Sequence, residues 1–337
     1  MALAYLRDMR AAVITGPGGP EVLEIRDVPQ PEPEGEQVLV RVRASALNRA
    51  DLLQRAGRYP APPGAPADIP GIELAGEVVS GGRDARLWRE GDRVFGITGG
   101  GAHAEYLVVH ERAVAAIPDS LEWTDAAAIP EAFLTAHDAL WVQAALRPSE
   151  RVLVHAVGSG VGLAAVQLVR AMGAVPYGDA RTADKIERAR DYGLEEGITL
   201  GDDLAPLADA VARWTQGAGV DVVLDLVGGP YVKASVDALG LKGRLMLVGT
   251  VAGGRAELEL GKALGKRLRI AGTVLRARPL EEKIEATRRF AAEVVPLFER
   301  GLLRPVVDRI FDLDRIGEAH ERLASNETFG KVVIRVA

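Results

Sequence analysis

A chain of 337 residues is longer than one hydrophobic core usually fills, so two domains are expected. Its composition is that of a folded protein, 48% hydrophobic and 26% charged, and its net charge of −6, with Lys and Arg interleaved among acids, argues against nucleic acid as a partner. The absence of cysteine excludes disulfides, thiol nucleophiles, iron–sulfur clusters and every thiolate zinc site.

The opening decapeptide carries Arg7, Asp8 and Arg10 where a secretory signal needs its apolar stretch, and no apolar run reaches membrane-spanning length. A cytoplasmic protein is expected, with residues 1–8 a tail and Met9 an alternative start. From Arg10 to about Ile117, short alternating runs such as EQVLVRVR (36–43) and AEYLVV (104–109) are separated by Gly/Pro turns such as GPGGP (16–20), which predicts an antiparallel, barrel-like β domain. Beyond Thr124 amphipathic helical segments alternate with strands at Arg151–Val157, Val175–Gly178, Val220–Leu226 and Arg244–Gly249. That texture predicts an α/β domain with a doubly wound parallel sheet. A long charged helix around Glu281–Arg300 and strands at Ile310–Leu313 and Lys331–Val336 return to the first domain. The expected domains are therefore residues 1–130 with 274–337, and 131–273.

The strongest local signal is the strand Arg151–Val157, the turn Gly158-Ser159-Gly160-Val161-Gly162, and the helical run Leu163–Met172. A strand, tight turn and helix in this order let backbone N–H groups approach a pyrophosphate at a helix N-terminus, and Gly162 lets the helix pack close to the strand. The glycines depart from the usual dinucleotide spacing, so the turn by itself also fits a nucleotide-free strand–helix connection. Some twenty residues on, Asp179, Arg181, Thr182 and Lys185 stand where a dinucleotide enzyme chooses between a ribose 2′-hydroxyl and a 2′-phosphate. Asp179 favours NAD, the basic pair with Thr182 favours NADP, and a helix N-cap beside a solvated basic face accounts for the same residues.

Four blocks, GGPE (18–21), SALNRADLLQRAGRY (45–59), AAIPEAFLTA (127–136) and VHAVGSGVG (154–162), resemble the zinc-independent quinone oxidoreductase branch of the medium-chain dehydrogenase/reductases, most of all its p53-inducible homologues. The likeness runs from about residue 10 to the end and includes IGEAH (316–320) and GKVV (330–333). It implies a Rossmann doubly wound sheet plus a GroES-like β-barrel catalytic domain. In the zinc-dependent branch a Cys and a G-H-E motif bring in the catalytic metal, and four cysteines on a lobe hold a structural one. Here the corresponding stretches read Ala46-Leu47-Asn48 and Gly71-Ile72-Glu73, and a short loop, 97–103, replaces the lobe. The histidines at 103, 110, 137, 155 and 320 read as surface or hydrogen-bonded residues, so no metal site is expected.

The resemblance implies NADPH, with NADH less favoured, because the family's phosphate clamp falls on Arg181, Thr182 and Lys185. Asp179 is a departure from that pattern, and so is Leu200, where homologues offer a tyrosine. Further cofactor contacts implied are Thr135, the turn residues Gly158, Ser159, Gly160 and Val161, the strand-end group Val248-Gly249-Thr250 near the carboxamide, and Asn326 and Lys331 closing over the cofactor. A homodimer through the strand near Leu268–Thr273 is implied as well.

Without a metal, an unactivated ketone is a poor hydride acceptor, whereas a quinone takes hydride into a delocalised anion. Tyr59 and Asn48 are the expected catalytic residues, orienting or hydrogen-bonding the acceptor oxygen. The rival enzyme reading is an NADPH-dependent enone or alkenal double-bond reductase. The non-enzyme rival is a cofactor-binding structural or RNA-binding, crystallin-like protein. No Ser-His-Asp or paired-carboxylate arrangement can be assembled from the sequence with comparable support.

Overall fold

Residues 40–43 alternate Val, Arg, Val, Arg, the period of a strand with one wet face. The computed structural model, which describes residues 8–336, buries Val40 and Val42 and leaves Arg41 and Arg43 half-buried. The tail expected at residues 1–8 lies outside the described residues except for Asp8, which opens a strand. β1 (Asp8–Ile14) and β2 (Leu23–Pro29) form an antiparallel pair. β3 (Gln37–Ala46), β4 (Glu73–Gly81), β5 (Arg93–Ile97), β6 (Tyr106–His110) and β7 (Val114–Ala116) follow, with β3 pairing antiparallel to both β4 and β6.

Two compact units divide the chain, one comprising residues up to Leu134 together with those from Leu275 on, the other Thr135–Val274. The first division falls inside the helix Pro130–His137, four residues beyond the expected boundary. The second unit holds β8 (Arg151–Val154), β9 (Val175–Ala180), β10 (Glu196–Thr199), β11 (Val220–Asp225), β12 (Leu239–Leu247) and β13 (Arg269–Gly272). All pairings in this sheet are parallel, in the order β10-β9-β8-β11-β12-β13. Counted from β8 that is 3-2-1-4-5-6, the doubly wound order with its switch point between β8 and β11, where ligands bind at the carboxyl ends of the strands. Val152, Leu153, Val154, Val222, Val223 and Leu224 are fully buried, as central strands covered on both faces require.

The first unit is completed by β14 (Val307–Asp312) and β15 (Lys331–Arg335), giving a seven-stranded sheet in which β15 pairs with β3. Its core gathers Val38, Val40, Val42, Leu74, Val78 and Val94. The expected helix 281–300 is two helices, Leu280–Glu293 and Val295–Glu299. Pro296 lacks the N–H that a continuous helix would need, so it sits in the first turn of the second. The expected strand Arg151–Val157 stops at Val154, because Ala156 adopts a left-handed φ of 55° and begins the turn. Among the described residues no helix is long and apolar enough to cross a membrane.

Candidate active site

In the second unit the helix Gly160–Ala171 starts directly after β8. A Cβ on Gly162 would lie 2.5 Å from the Ala156 carbonyl, so only glycine lets this helix approach the strand end. Ser159 is the N-cap: its hydroxyl accepts from Gly162 N–H at 3.1 Å and donates to the Ala156 carbonyl at 2.8 Å. Ser159, expected among the turn residues that meet the cofactor, spends its hydroxyl proton on the cap. Helix geometry leaves the N–H groups of Gly160 and Val161 without an intrahelical acceptor, facing the carboxyl edge of the sheet. Lys185 lies over the turn, close enough that a Cβ on Gly158 would meet its Cδ at 2.8 Å. Arg181 and Thr182 are exposed, and Thr182 occupies the N-cap position of the helix Ala183–Arg190 without a side-chain capping bond. Val248 and Gly249 donate to the Asp225 carbonyl and stand, with Thr250, past the end of β12 on the same edge. Thr135 is buried at the start of this unit, and Leu200 belongs to its core.

Asp179 proves to be an interior residue, 2% exposed. Its carboxylate pairs with His155 Nδ1, and His155 Nε2 lies 2.9 Å from Ser235 Oγ. Asp179, His155 and Ser235 thus form a Ser-His-Asp grouping that no spacing in the sequence supported. This one is not hydrolytic. Ser235 donates its proton to the Tyr231 carbonyl at 2.7 Å, so its oxygen accepts from Nε2–H while Asp179 accepts from Nδ1–H. Both ring nitrogens carry protons, leaving no base to activate the serine, and all three side chains are shielded from solvent. Burial opposes the charged imidazole; the Asp179 carboxylate, by charge and hydrogen bond, and Asp225 by charge outweigh it, and the His155 pKa is raised. The Tyr231 ring packs edge-on against His155 at 4.9 Å, and its phenol is pushed up to about 12, chiefly by burial and then by Asp179, with Arg181 opposing.

The first unit assembles a polar network from residues far apart in sequence. Asn48 precedes the helix Arg49–Arg55; its backbone N–H donates to Asp51 Oδ2 at 2.7 Å, and Asp51 Oδ1 accepts from Gly71 N–H at 2.9 Å. Gly71 has φ of 96° and a Cβ there would meet His103 N at 2.6 Å, so glycine is required for the turn that delivers Glu73. Glu73, fully buried, accepts from Asn48 Nδ2 (2.8 Å), Lys331 Nζ (2.7 Å) and Glu131 N–H (2.8 Å). Lys331 Nζ also donates to Asn48 Oδ1 at 2.6 Å and to the Leu47 carbonyl at 2.9 Å. Its three donors are spent, so the expected closure of Lys331 over the cofactor is corrected to a buried ion pair with Glu73. Asn48 is corrected likewise: its amide N–H groups serve Glu73 and the Ala46 carbonyl, so it shapes the site instead of donating to an acceptor. Asn326 adopts a left-handed φ of 61° and accepts from Arg49 Nη2.

Tyr59 is half-buried, and the guanidinium of Arg276 stands over its ring, 5.1 Å from the centroid. Arg276 donates to Gln54 Oε1 at 2.5 Å and to the Gly99 carbonyl at 2.8 Å, while its buried Nη1 has no partner among the described residues, a loss of about 1–3 kcal/mol for an ordinary buried donor. Burial pushes the Tyr59 phenol up, Arg276 pulls it back and Glu131 adds to the rise. Ile72 is buried beside Glu73, and among the described residues no group of three or more His, Asp or Glu side chains could hold a metal ion. His103 hydrogen-bonds Ser45 Oγ at 2.7 Å, but His320, fully buried with both nitrogens unpartnered among the described residues, is neither surface nor hydrogen-bonded. Burial lowers both their pKa values.

Two family profiles match the sequence, the alcohol dehydrogenase GroES-like domain over residues 34–119 and the zinc-binding dehydrogenase family over residues 198–334. The chain is 35% identical over 325 residues to a quinone oxidoreductase of Pseudomonas aeruginosa, covering 94% of this chain and 96% of that protein. It is 33% identical over 331 residues to a quinone oxidoreductase of Lama guanicoe, covering 97% and 98%. The chain belongs to the quinone oxidoreductase branch of the medium-chain dehydrogenase/reductases. A mycobacterial protein solved in complex with NADPH superposes with a TM-score of 0.88 at 28% identity over 97% of this chain and all of that one. The first unit is thus the GroES-like domain and the second the Rossmann domain of an oxidoreductase acting on a small molecule with a nicotinamide cofactor.

Within this quinone oxidoreductase fold the turn, Arg181, Thr182 and Lys185 are brought to one edge of the Rossmann sheet. Asn48, Tyr59 and Lys331 fall in the GroES-like unit. Sequence reasoning missed the roles of Asp51 and Glu73 and missed Arg276 altogether; the role of Asp51 had a signal in the Asn48–Asp51 capping spacing, while those of Glu73 and Arg276 had none there.

Proposed function

We propose that the protein is a cytoplasmic, NADPH-dependent quinone oxidoreductase that works without a metal. One observation carries the metal-free reading: where the zinc-dependent branch places its ligands, this chain buries Ile72 and ties Glu73 to the Lys331 ammonium. An apolar side chain and a carboxylate already neutralised by a cation are a donor set that does not fit zinc. Lacking a Lewis acid, the site suits an acceptor that spreads its own developing charge, as a quinone does. When bound, NADPH supplies the hydride. The helix N-terminus that Gly162 seats against the strand end fits its pyrophosphate, and exposed Arg181 and Thr182 with Lys185 over the turn fit its 2′-phosphate. The inward commitment of Asp179 to His155 removes the acid that argued for NADH. Tyr59 then holds the acceptor oxygen through its phenol, which at its ordinary pKa of about 10 is already protonated at neutral pH and which burial pushes further up.

A homodimer fits β13, an edge strand with all four residues exposed and with exposed Leu260, Leu264 and Val274 around it. Sedimentation of the wild type and of Ile270→Lys tests this: a dimer that the substitution dissociates supports it, and a monomeric wild type rejects it.

Two substitutions test the function. Tyr59→Phe is expected to lower quinone turnover by about 10²-fold, the effect of losing one oxyanion donor, with NADPH affinity nearly intact; unchanged turnover removes Tyr59 from the mechanism. Arg181→Ala is expected to weaken NADPH by roughly tenfold or more and NADH hardly at all, as loss of a charge-assisted contact requires. Equal weakening of both cofactors contradicts the clamp.

A further inference from the structure

We propose that Arg276 is a positioning residue of the acceptor site, holding the Tyr59 ring from its anchors on Gln54 and Gly99 and keeping a cation beside the phenol that meets the acceptor oxygen. The inference rests on the reading of Tyr59 given above. Arg276 is 4% exposed and remains charged, so its burial needs compensation. Its two anchor bonds, to Gln54 and Gly99, bind the helix Arg49–Arg55 and the loop after β5 to the same guanidinium. The ring of Tyr59 lies under the guanidinium carbon at 5.1 Å, a cation–π distance. With Nη1 unpartnered among the described residues, the hydrogen bonds to neighbouring protein atoms do not account for the whole group.

The surrounding charges define what the cation is for. Asp51 and Glu131 favour the guanidinium, Glu131 also faces Tyr59, and Lys283, which donates to the Arg276 carbonyl at 3.2 Å, opposes it. Two acids and two cations in this part of the unit leave no net charge to draw in an anionic substrate. A neutral carbonyl that becomes an oxyanion on receiving hydride is the class that fits, because the phenol proton is shared with it only as charge develops, and the guanidinium stabilises that sharing.

The experiment uses the full-length protein with 3-fluorotyrosine incorporated, the Tyr59 fluorine signal being identified by its loss in Tyr59→Phe. In Arg276→Met the fluorophenol is expected to titrate at higher pH than in the wild type, and in Arg276→Lys, which restores the charge, close to the wild type. With 9,10-phenanthrenequinone the Met variant should lose roughly tenfold in kcat, the scale of a desolvated cation–π contact, with the KM for NADPH unchanged. In a Tyr59→Phe background the same substitution should cost little more. An unshifted titration, or an equal loss of kcat in both backgrounds, overturns the proposal; if Arg276→Met fails to fold, Arg276→Gln is read in the same way. Wild-type turnover by Tyr59→Phe overturns the reading of Tyr59 itself, whereas an unshifted titration with impaired Tyr59→Phe overturns only the assignment of Arg276.

Discussion

Under the proposed function, the two units hold a small polar molecule by opposite means. The Rossmann unit uses a contiguous stretch: strand, glycine turn and helix within residues 151–171 make the cradle, and the side chains that tune it follow within two dozen residues. The GroES-like unit draws Asn48, Asp51, Tyr59, Glu73, Arg276 and Lys331 from opposite ends of the sequence, pairing Glu73 with Lys331, Asp51 with the Asn48 and Gly71 N–H groups, and Arg276 with the neutral oxygens of Gln54 and Gly99. Backbone geometry makes the first; a side-chain network around one buried ion pair makes the second. The buried histidines differ as well, the pKa being raised at His155, where the Asp179 carboxylate outweighs burial, and lowered by burial at His103 and His320.

The contrast breaks most readily at Glu73. Glu73→Gln leaves the Lys331 ammonium buried without its counter-charge and is expected to cost about 3–5 kcal/mol in urea or guanidinium unfolding, the usual effect of halving a buried ion pair. A loss below about 1 kcal/mol, the size of a surface pair, contradicts a buried Glu73–Lys331 pair. Gly162→Ala is expected to cost about 1–3 kcal/mol as an overpacked contact and to weaken NADPH and NADH alike, because it moves the helix and not the 2′ clamp. A shift in the preference between the two cofactors speaks against a purely geometric cradle.

The smallest effect is the dependence of stability on pH, with opposite signs in the two units. His155, raised, contributes stability that is full below the ordinary histidine pKa of about 6.5 and is lost as pH rises through its folded value. His103 and His320, lowered, contribute stability present above about pH 6.5 and lost as pH falls towards their folded values. Melting curves on either side of neutrality should show both declines, and His320→Leu should shallow the acid one alone. An unchanged acid limb in that variant separates His320 from acid unfolding.

These differences explain what the sequence made legible. The doubly wound sheet, the turn and the clamp show because hydrophobic period, glycine placement and charge lie close along the chain. Asp179 was ambiguous for the same reason: its position next to Arg181 is local, whereas its partner His155 is a neighbour only across the parallel pair β8 and β9. Ser235 came to His155 from a helix 80 residues away, out of reach of any spacing argument. Asn48 and Tyr59 stood out through resemblance, but the donors already committed by Asn48 and Lys331 emerged only when their side chains were placed. Arg276, 222 residues from Gln54, had no pattern to announce it.

The most direct measurement is cofactor oxidation with NADPH and NADH side by side against 9,10-phenanthrenequinone and an alkenal, with and without chelator. A metal-free, NADPH-dependent quinone oxidoreductase predicts rapid NADPH oxidation with the quinone, slower rates with NADH and with the alkenal, and no effect of chelation. Preference for the alkenal would make the protein a double-bond reductase, bound NADPH with no turnover would return it to a binding role, and activity lost on chelation would contradict the account at its centre.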